Sequence, residues 1–216
     1  MKAIMISIKP KWCAEIMNGN KTIEVRKNKA LASAVRKLID ENGFADIYVY
    51  CSKGNSYLHY GYNRYGREVL CLEEKVFGSS PFLNGKVLFK FRCYKVDDYV
   101  YGCKWSWKVG SPMWGASNGY EFILKDACLT DDELRNYADD LTFIAIHISN
   151  LEIFDRPKEL GEFYKGFRMK NYKDYFAQDI HKEKNILVQP IRGGYEYTYP
   201  LTKPPQNFYY VEVELG

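Results

Sequence analysis

Hydrophobic and polar positions alternate in several short segments of the chain, and this pattern predicts a mainly β protein. The segment "AIMISI" (3–8) is typical of a buried strand, and "TIEVRK" (22–27) predicts a second strand whose apolar residues alternate with charged ones. Between them, "KWCAEIMNG" carries apolar residues at helical spacing, with Pro10 at its start and Gly19 at its end. The opening of the chain therefore predicts a strand, a short helix and a second strand.

The periodicity predicts further elements up to the end of the chain. In chain order they are a helix over 30–42, strands over Ala45–Lys53 and Gly85–Gly102, an aromatic loop over Gly102–Gly119, a helix after the capping box of Thr130 and Glu133, a strand over Thr142–Asp155 that breaks near Ser149 and Asn150, a short helix over Glu159–Tyr164 and a final strand.

Strands separated by single helices, without a regular βαβ rhythm, favour an α+β, mainly β fold. We expect a small mixed β-barrel with helices packed on its outside. The chain is expected to form one domain over 1–216, with insertions near 54–84, 100–120 and 165–199; the first of these is predicted to contain at most one ribbon.

The composition supports a β-rich intracellular protein. Aromatic residues make up 16% of the chain, and such residues favour sheets. The six cysteines show no CxxC spacing and no histidine at ligand spacing, so we expect reduced thiols and neither a metal nor another cofactor. No signal peptide or membrane span is apparent, which predicts a cytoplasmic protein.

Charge is distributed unevenly along the chain. The net charge is only +4, but residues 1–39 contain nine Lys or Arg against two Glu. Residues 121–162 instead contain eleven acids against four bases. The basic segment could attract phosphates, whereas two solvated faces of opposite sign would explain the same distribution equally well.

Three predicted strands carry a polar face opposite an apolar one, because alternate side chains of a strand share a face. These polar residues, together with Lys53 at a strand end, are the candidate site: Ser7, Lys9, Lys21, Thr22, Glu24, Arg26, Lys53, His147 and Ser149. If the faces converge, the cations, carboxylate, imidazole and hydroxyls suit a phosphate, a nucleobase edge or an amide. A charged strand face that is simply solvated is the simpler alternative, and His147 could be purely structural.

The opening pattern "SIKPKWCAEIMNGNKTIEVRK" resembles the start of activating signal cointegrator homology (ASCH) domains. Their signature is a strand, a helix ending in Gly, and then G-x-K-T-x-E-x-R. The residues that match it are Gly19, Lys21, Thr22, Glu24 and Arg26. Later blocks such as "AIHISNLEIFDRPKEL" and "PLTKPPQNFYYVEVEL" are similar to ASCH proteins of phages and prophages. The resemblance implies a fold like that of the pseudouridine synthase and archaeosine transglycosylase (PUA) domain, with a cleft beside the motif strand that meets RNA or a modified nucleobase.

The resemblance also implies candidate activities. Some small ASCH proteins are amidohydrolases of acetylated cytidine, with a Lys at the position of Lys21 and a Thr nucleophile where this chain has Glu24. Thr22 or Ser149 would have to replace that nucleophile here. Others are described as ribonucleases. The cysteine cluster of some phage-type relatives has no counterpart in 165–199, so no zinc knuckle is expected.

Three functional hypotheses follow. The leading one is an RNA- or nucleotide-binding ASCH domain of phage or prophage origin that holds its ligand in a basic cleft. The second is a metal-independent ribonuclease or acylated-cytidine amidohydrolase, with Lys21 and Glu24 as the catalytic acid–base pair. The third is a protein-interaction module that contacts a host protein through the acidic segment 121–162.

Overall fold

The computed structural model describes residues 2–74, 82–102, 105–108, 117–138, 142–169, 186–192 and 194–212. The helices are α1 (Pro10–Met17), α2 (Lys29–Asn42), α3 (Ser117–Asp126) and α4 (Asp131–Tyr137). The strands are β1 (Lys2–Ile8), β2 (Ile23–Arg26), β3 (Ala45–Cys51), β4 (Tyr57–Tyr62), β5 (Glu68–Glu73), β6 (Val87–Cys93), β7 (Val96–Gly102), β8 (Trp105–Lys108), β9 (Thr142–His147), β10 (Ser149–Lys158), β11 (Tyr164–Met169), β12 (Leu187–Ile191), β13 (Gly194–Pro200) and β14 (Phe208–Glu212).

The described strands are arranged in a large sheet, a smaller sheet and a hairpin. The large sheet has the order β10-β6-β3-β1-β14-β11-β13-β12, with β1 and β3 parallel to each other. The smaller sheet has the order β2-β9-β7-β8, and β4 pairs with β5 alone. The chain therefore passes from one sheet to the other when it leaves β1 through α1 and enters β2.

Local sequence accounts for this first crossing. Pro10 stands at the first position of α1, where its missing N–H leaves no hydrogen bond unmade. Gly19, just beyond the helix, has φ +76°, a left-handed conformation that glycine adopts without strain. The turn from α1 directs Lys21 and β2 back towards the end of β1.

Three hydrophobic clusters hold the layers together. The main core lies between one face of the large sheet, helices α1 and α2, and the inner face of β9, where Ile144 and Ile146 are buried. A second cluster joins the other face of the smaller sheet to α3 and α4. A third covers the opposite face of β1 and β3 and includes Met5 and Phe163. Helices α1 and α2 therefore share the main core with both sheets, whereas α3 and α4 cover the other face of the smaller sheet.

The mainly β class with external helices is confirmed. The expected barrel is not closed within the described residues, because the end strands β10 and β12 of the large sheet do not pair with each other, and neither do β2 and β8 of the smaller sheet. The ribbon expected within 54–84 is the β4–β5 hairpin, and the predicted break near Ser149 separates β9 from β10. Of the helices that the structure describes, none has the length and apolar character needed to span a bilayer.

Two predicted elements differ from the structure. The predicted strand Gly85–Gly102 is two strands, because β6 pairs with β3 and β10 whereas β7 belongs to the smaller sheet. The predicted helix Glu159–Tyr164 is only a 3₁₀ turn over Leu160–Glu162, since Tyr164 already pairs in β11. Parts of the expected aromatic loop (103–104 and 109–116) and of the polar insertion (170–185 and 193) lie outside the described residues.

Candidate functional site

A pocket of about 540 Å³ lies where the end of β1, helix α1, strand β2 and helix α4 meet. Its volume is within the range of pockets that hold small organic ligands. Charged side chains form its floor, and apolar, aromatic and polar side chains together form its walls. The sequence motif that resembles ASCH domains supplies this floor.

The floor is a buried cluster of two cations and one carboxylate. The Lys21 Nζ atom lies 3.5 Å from Oε2 of Glu24, and the Arg26 Nε atom donates to Oε1 of Glu24 at 2.8 Å. The side chains of Lys21 and Glu24 are 2% and 7% exposed, and that of Arg26 is 18% exposed. The cluster therefore holds a formal excess of one positive charge in a place with little water.

Main-chain carbonyl groups fix the two cations. Lys21 Nζ donates to the carbonyl oxygen of Ala127 at 2.8 Å, just beyond α3, and Arg26 Nη2 donates to the carbonyl oxygen of Ser7 at 2.5 Å, in β1. Arg26 thus links β1 to β2 with one guanidinium group while it also holds Glu24. Both cations are positioned by backbone that belongs to other elements, so the cluster is rigid before any ligand binds.

Burial shifts the pKa values of side chains in and behind the floor. It lowers the pKa of Lys21 from its ordinary value of 10.5, and the attraction of Glu24 offsets this shift only in part. Behind the floor, burial raises the pKa of the Cys13 thiol well above its ordinary value. Lys21 is therefore more readily deprotonated than a surface lysine, whereas Cys13 stays a neutral thiol.

The walls combine aromatic rings with polar groups. Trp12 of α1 lines one side, with Lys11 Nζ 4.2 Å and Lys21 Nζ 5.1 Å from its ring centroid. Asn136 and Tyr137 of α4 line the other side. Burial raises the pKa of Tyr137, so its phenol keeps its proton at neutral pH and is able to donate a hydrogen bond.

An ion pair joins the two walls near the pocket. Lys11 Nζ of α1 donates to Oε1 of Glu133 in α4 at 2.7 Å, and this bond is the main reason that the pKa of Glu133 is lowered. Glu133 also completes the capping box with Thr130 that the sequence predicts. The start of α4 is thereby fixed both to its own cap and to α1.

Five of the predicted site residues line this pocket, and they are Ser7, Lys9, Lys21, Glu24 and Arg26. Thr22 is not among the lining residues; its side chain is exposed, and its main chain bonds to Asp126 and Ile148. Lys53 is exposed beside the pocket, where its neighbour Ser52 contributes to the lining. The structure therefore brings the motif residues and the end of β1 together.

His147 and Ser149 lie elsewhere. Glu24 pairs with Ile146 across the β2–β9 ladder, whereas His147 pairs with Ile23 and so shares the opposite face of the sheet. On that side, His147 Nε2 is 3.0 Å from Oδ2 of the buried Asp97. Ser149 pairs with Arg92 in the large sheet. The strand register thus separates these two residues from the pocket.

Sequence patterns gave no indication of the wall formed by α4. The capping box predicts the helix, but nothing in the order of residues shows that Asn136 and Tyr137 lie opposite Trp12. More than a hundred positions separate them along the chain, and only the packing of α4 on the smaller sheet brings them together. Among the described residues, no group of His, Cys, Asp and Glu side chains is placed to hold a metal ion.

Comparisons with known proteins give two similar structures. No family model matches the chain, and no curated protein matches it in sequence. A crystal structure of ASCH from Zymomonas mobilis superimposes with a TM-score of 0.48 and 13% identity, over 97% of this chain and 87% of that one. A serine-to-alanine mutant of the same protein gives 0.45 and 13%, over 97% and 88%. Since a likeness at this level carries no information about the site, we base the function on this chain's own side chains.

Proposed function

We propose that the pocket binds one nucleotide or nucleoside unit of RNA. The observation that carries this proposal is the buried cluster of Lys21, Glu24 and Arg26, which has one positive charge in excess and opens into a cavity of about 540 Å³. A buried net charge is costly unless a partner neutralises it. An anionic phosphate oxygen would supply that partner, whereas the neutral carbonyl oxygen of a base would only accept a hydrogen bond.

The walls support an aromatic ligand. Trp12 and Tyr137 provide ring surface, and Ile8, Val25 and Leu129 provide apolar contact. Rings of this kind bind nucleobases by stacking, since every base has a flat π face. Lys9 is exposed at the rim of the pocket, where its ammonium group suits a phosphate that faces solvent.

The resemblance of the opening motif to ASCH domains points in the same direction. It implies a ligand cleft beside the strand that carries G-x-K-T-x-E-x-R, and the pocket lies beside that strand. Among the interpretations of the sequence, the nucleotide-binding one therefore has the most support from the positions of the side chains. A phage or prophage origin has no further support from the structure.

Metal-independent RNA cleavage is the second candidate function. The lowered pKa of Lys21 favours it, because a lysine that loses its proton more readily is a better proton-transfer group at neutral pH. In RNA cleavage the 2′-hydroxyl of the substrate is the nucleophile, so the protein need not supply one. Amide hydrolysis through Thr22 or Ser149 has less support, since neither residue lines the pocket.

The acidic segment gives less support to a protein-interaction module. Within the described residues, its acids are spread over α3, α4, β10 and the 3₁₀ turn that follows β10. Several of them already pair with bases, for example Glu133 with Lys11 and Glu152 with Lys90. Charge reversal at Asp131 and Asp132 would test this alternative directly.

The test compares wild type with Lys21→Met in solutions that contain EDTA. Methionine retains the volume of the lysine chain but removes its charge. Binding of the four nucleoside monophosphates and of a 12-nucleotide unstructured RNA is measured by calorimetry, and the same samples are analysed for products by mass spectrometry. Lys37→Met is the control, because Lys37 is exposed on α2 and lies outside the pocket.

We expect Lys21→Met to weaken mononucleotide binding about 10- to 100-fold, as the loss of a charge-assisted hydrogen bond would do. The control variant should bind within about twofold of wild type. RNA products formed by wild type but not by Lys21→Met would establish cleavage as well as binding. Equal mononucleotide affinity in wild type and Lys21→Met would refute the proposed site.

A further inference from the structure

The tip of the β4–β5 hairpin presents aromatic rings and guanidinium groups to solvent. Tyr62 is 76% exposed and Tyr65 is 70% exposed. The guanidinium carbon of Arg64 lies 4.7 Å from the ring centroid of Tyr65, and Arg67 is exposed beside them. Single exposed tyrosines are ordinary, but two of them grouped with two arginines form a surface suited to a flat, anionic partner.

The turn that carries these side chains is ordered by its own hydrogen bonds. The Oδ1 atom of Asn63 accepts from the backbone N–H groups of Tyr65 at 2.9 Å and Arg67 at 3.1 Å. The Asn63 N–H in turn donates to the carbonyl oxygen of Arg67, and Gly66 has φ +72°. The rings are thus held on a preformed turn, which lowers the entropy cost when a ligand binds.

The packing of the hydrophobic core does not explain why the tip of the hairpin carries these side chains. The base of the hairpin contributes Leu58, which is fully buried, and Leu70 to the main core. Beyond that base, the side chains of Tyr62 and Tyr65 project into solvent and are not part of any of the three hydrophobic clusters. The base of the hairpin is therefore part of the hydrophobic core, whereas its tip contributes little to the stability of the core.

The hairpin begins at the rim of the pocket. The amide of Asn84 donates to the carbonyl oxygen of Ser52, which lines the pocket, and to that of Ser56, while its Oδ1 atom accepts from the N–H of Leu58 in β4. Lys53, which follows Ser52 in the chain, is exposed, and its side chain lies beside Gly85. From Tyr57 to Tyr62 the strand extends about 17 Å away from this rim.

We propose that the hairpin tip is a stacking platform for single-stranded RNA, another nucleotide of which, a few positions along the same strand, occupies the pocket. This inference rests on the proposed function, and it makes the ligand a polynucleotide rather than a free nucleotide. Tyr62 and Tyr65 stack on bases, whereas Arg64, Arg67 and Lys53 contact phosphates. Recognition of this kind tolerates many sequences, because stacking and phosphate contacts do not read the edges of the bases.

The test uses the double variant Tyr62→Ala/Tyr65→Ala and the conservative variant Tyr62→Phe/Tyr65→Phe. The probes are a fluorescein-labelled 12-nucleotide unstructured RNA, the DNA of the same sequence, and the nucleoside monophosphates. Two controls far from the hairpin in sequence, Tyr195→Ala and Arg156→Ala, each remove one exposed side chain of a kind that is tested at the tip. Circular dichroism and thermal unfolding confirm that each variant is folded.

We expect the alanine variant to bind the 12-nucleotide RNA at least tenfold more weakly than wild type, since it removes both rings on which bases stack. Mononucleotide affinity should stay unchanged, and the phenylalanine variant should bind RNA as wild type does. Arg64→Gln/Arg67→Gln should reduce the slope of log K against log salt by about 0.7 for each phosphate that the variant no longer neutralises. If the alanine variant lost affinity for the DNA oligomer to the same extent, the partner of the hairpin tip would be single-stranded nucleic acid in general.

Two results would overturn the hairpin proposal. One is an alanine variant that binds the 12-nucleotide RNA as wild type does, which is also the outcome expected if the tip serves a protein partner. The other is a wild-type protein that binds neither the RNA nor the DNA oligomer. If wild type binds the oligomer through the tyrosines but binds no mononucleotide, the platform stands and the proposed pocket function fails.

Discussion

Lys21 combines burial, an acidic neighbour and a carbonyl partner in one side chain. Its ammonium group lies 2.8 Å from the carbonyl oxygen of Ala127 and 3.5 Å from Glu24. The lowered pKa shows that loss of water outweighs these attractions. Lys21 is thus a destabilising charge in the folded protein, which is typical of residues that are retained for function rather than for stability.

This buried charge predicts a dependence of stability on pH. Below the lowered pKa of Lys21 the full cost of burying the charge is present in wild type. As the pH rises towards 10.5, the folded protein loses this proton before the unfolded chain does, so the cost decreases. Relative to Lys21→Met, the free energy of unfolding of wild type should therefore increase with pH up to about 10.5 and then level off.

Urea unfolding of both proteins at a series of pH values between 7 and 11 measures this difference. Thiol and tyrosine groups titrate in the same range, but they are common to both proteins and, apart from Cys128, which interacts electrostatically with Lys21, they cancel in the comparison. A difference that stays constant over the whole series would show that the pKa of Lys21 is not lowered by burial.

At the scale of elements, α4 is a short helix whose position decides the shape of the pocket. It has only seven residues, and its capping box and the buried Leu134 hold it in place. From its last turn, Asn136 and Tyr137 reach the pocket. Loss of the cap would loosen this wall without a change in any residue that contacts the ligand.

We expect Thr130→Ala to lower the free energy of unfolding by about 1 kcal/mol, as the loss of an N-cap does. The same change should also weaken mononucleotide binding several-fold, because the first turn of α4, from which Glu133 reaches Lys11 of α1, would be less well fixed. The matched control is Asn28→Ala. Asn28 caps α2 by accepting from the N–H groups of Ala30 and Leu31, and α2 does not line the pocket.

Urea unfolding and calorimetric titration with a nucleoside monophosphate measure the two effects. Both variants should show a similar loss of stability, and only Thr130→Ala should lose affinity. If Asn28→Ala weakened binding as much as Thr130→Ala, general destabilisation would explain the loss and the role of α4 would be refuted.

At the scale of the whole molecule, the smaller sheet separates two groups of polar residues. Glu24 and Arg26 face the large sheet with Ile144 and Ile146, whereas His147 and Asp97 lie on the other face. The Asp97 carboxylate is buried and accepts from His147 and from Lys95. Neither His147 nor Asp97 is among the residues that line the pocket, so we expect no direct contact between His147 and the ligand.

His147→Ala should therefore destabilise the fold while leaving the pocket intact. The loss of a hydrogen bond to a buried carboxylate is expected to lower the free energy of unfolding by about 1–3 kcal/mol. Mononucleotide affinity, measured by calorimetry, should stay within twofold of wild type. A tenfold loss of affinity in a folded His147→Ala protein would contradict this prediction. It would show that His147 contributes to the ligand site, as strand alternation alone predicts.

The sequence by itself determined the mainly β class, the break between β9 and β10, the capped start of α4 and the motif that forms the pocket floor. These features depend on residues close together in the chain, where strand alternation, capping chemistry and the left-handed preference of Gly19 act locally. The splitting of Gly85–Gly102 into β6 and β7 could not be predicted, because it depends on which distant strands pair with each part.

Only the tertiary structure decided which polar residues meet. Strand alternation correctly placed Glu24 and Arg26 together on one face of β2. Strand β2 pairs with β9, which lies more than a hundred residues away in the chain, and their register places His147 opposite Ile23. His147 therefore lies on the face of the sheet opposite to Glu24 and Arg26. The wall of Asn136 and Tyr137 likewise depends on how α4 packs. Burial of the charged cluster, and with it the lowered pKa of Lys21, arises only when both sheets and their helices exclude water from the floor.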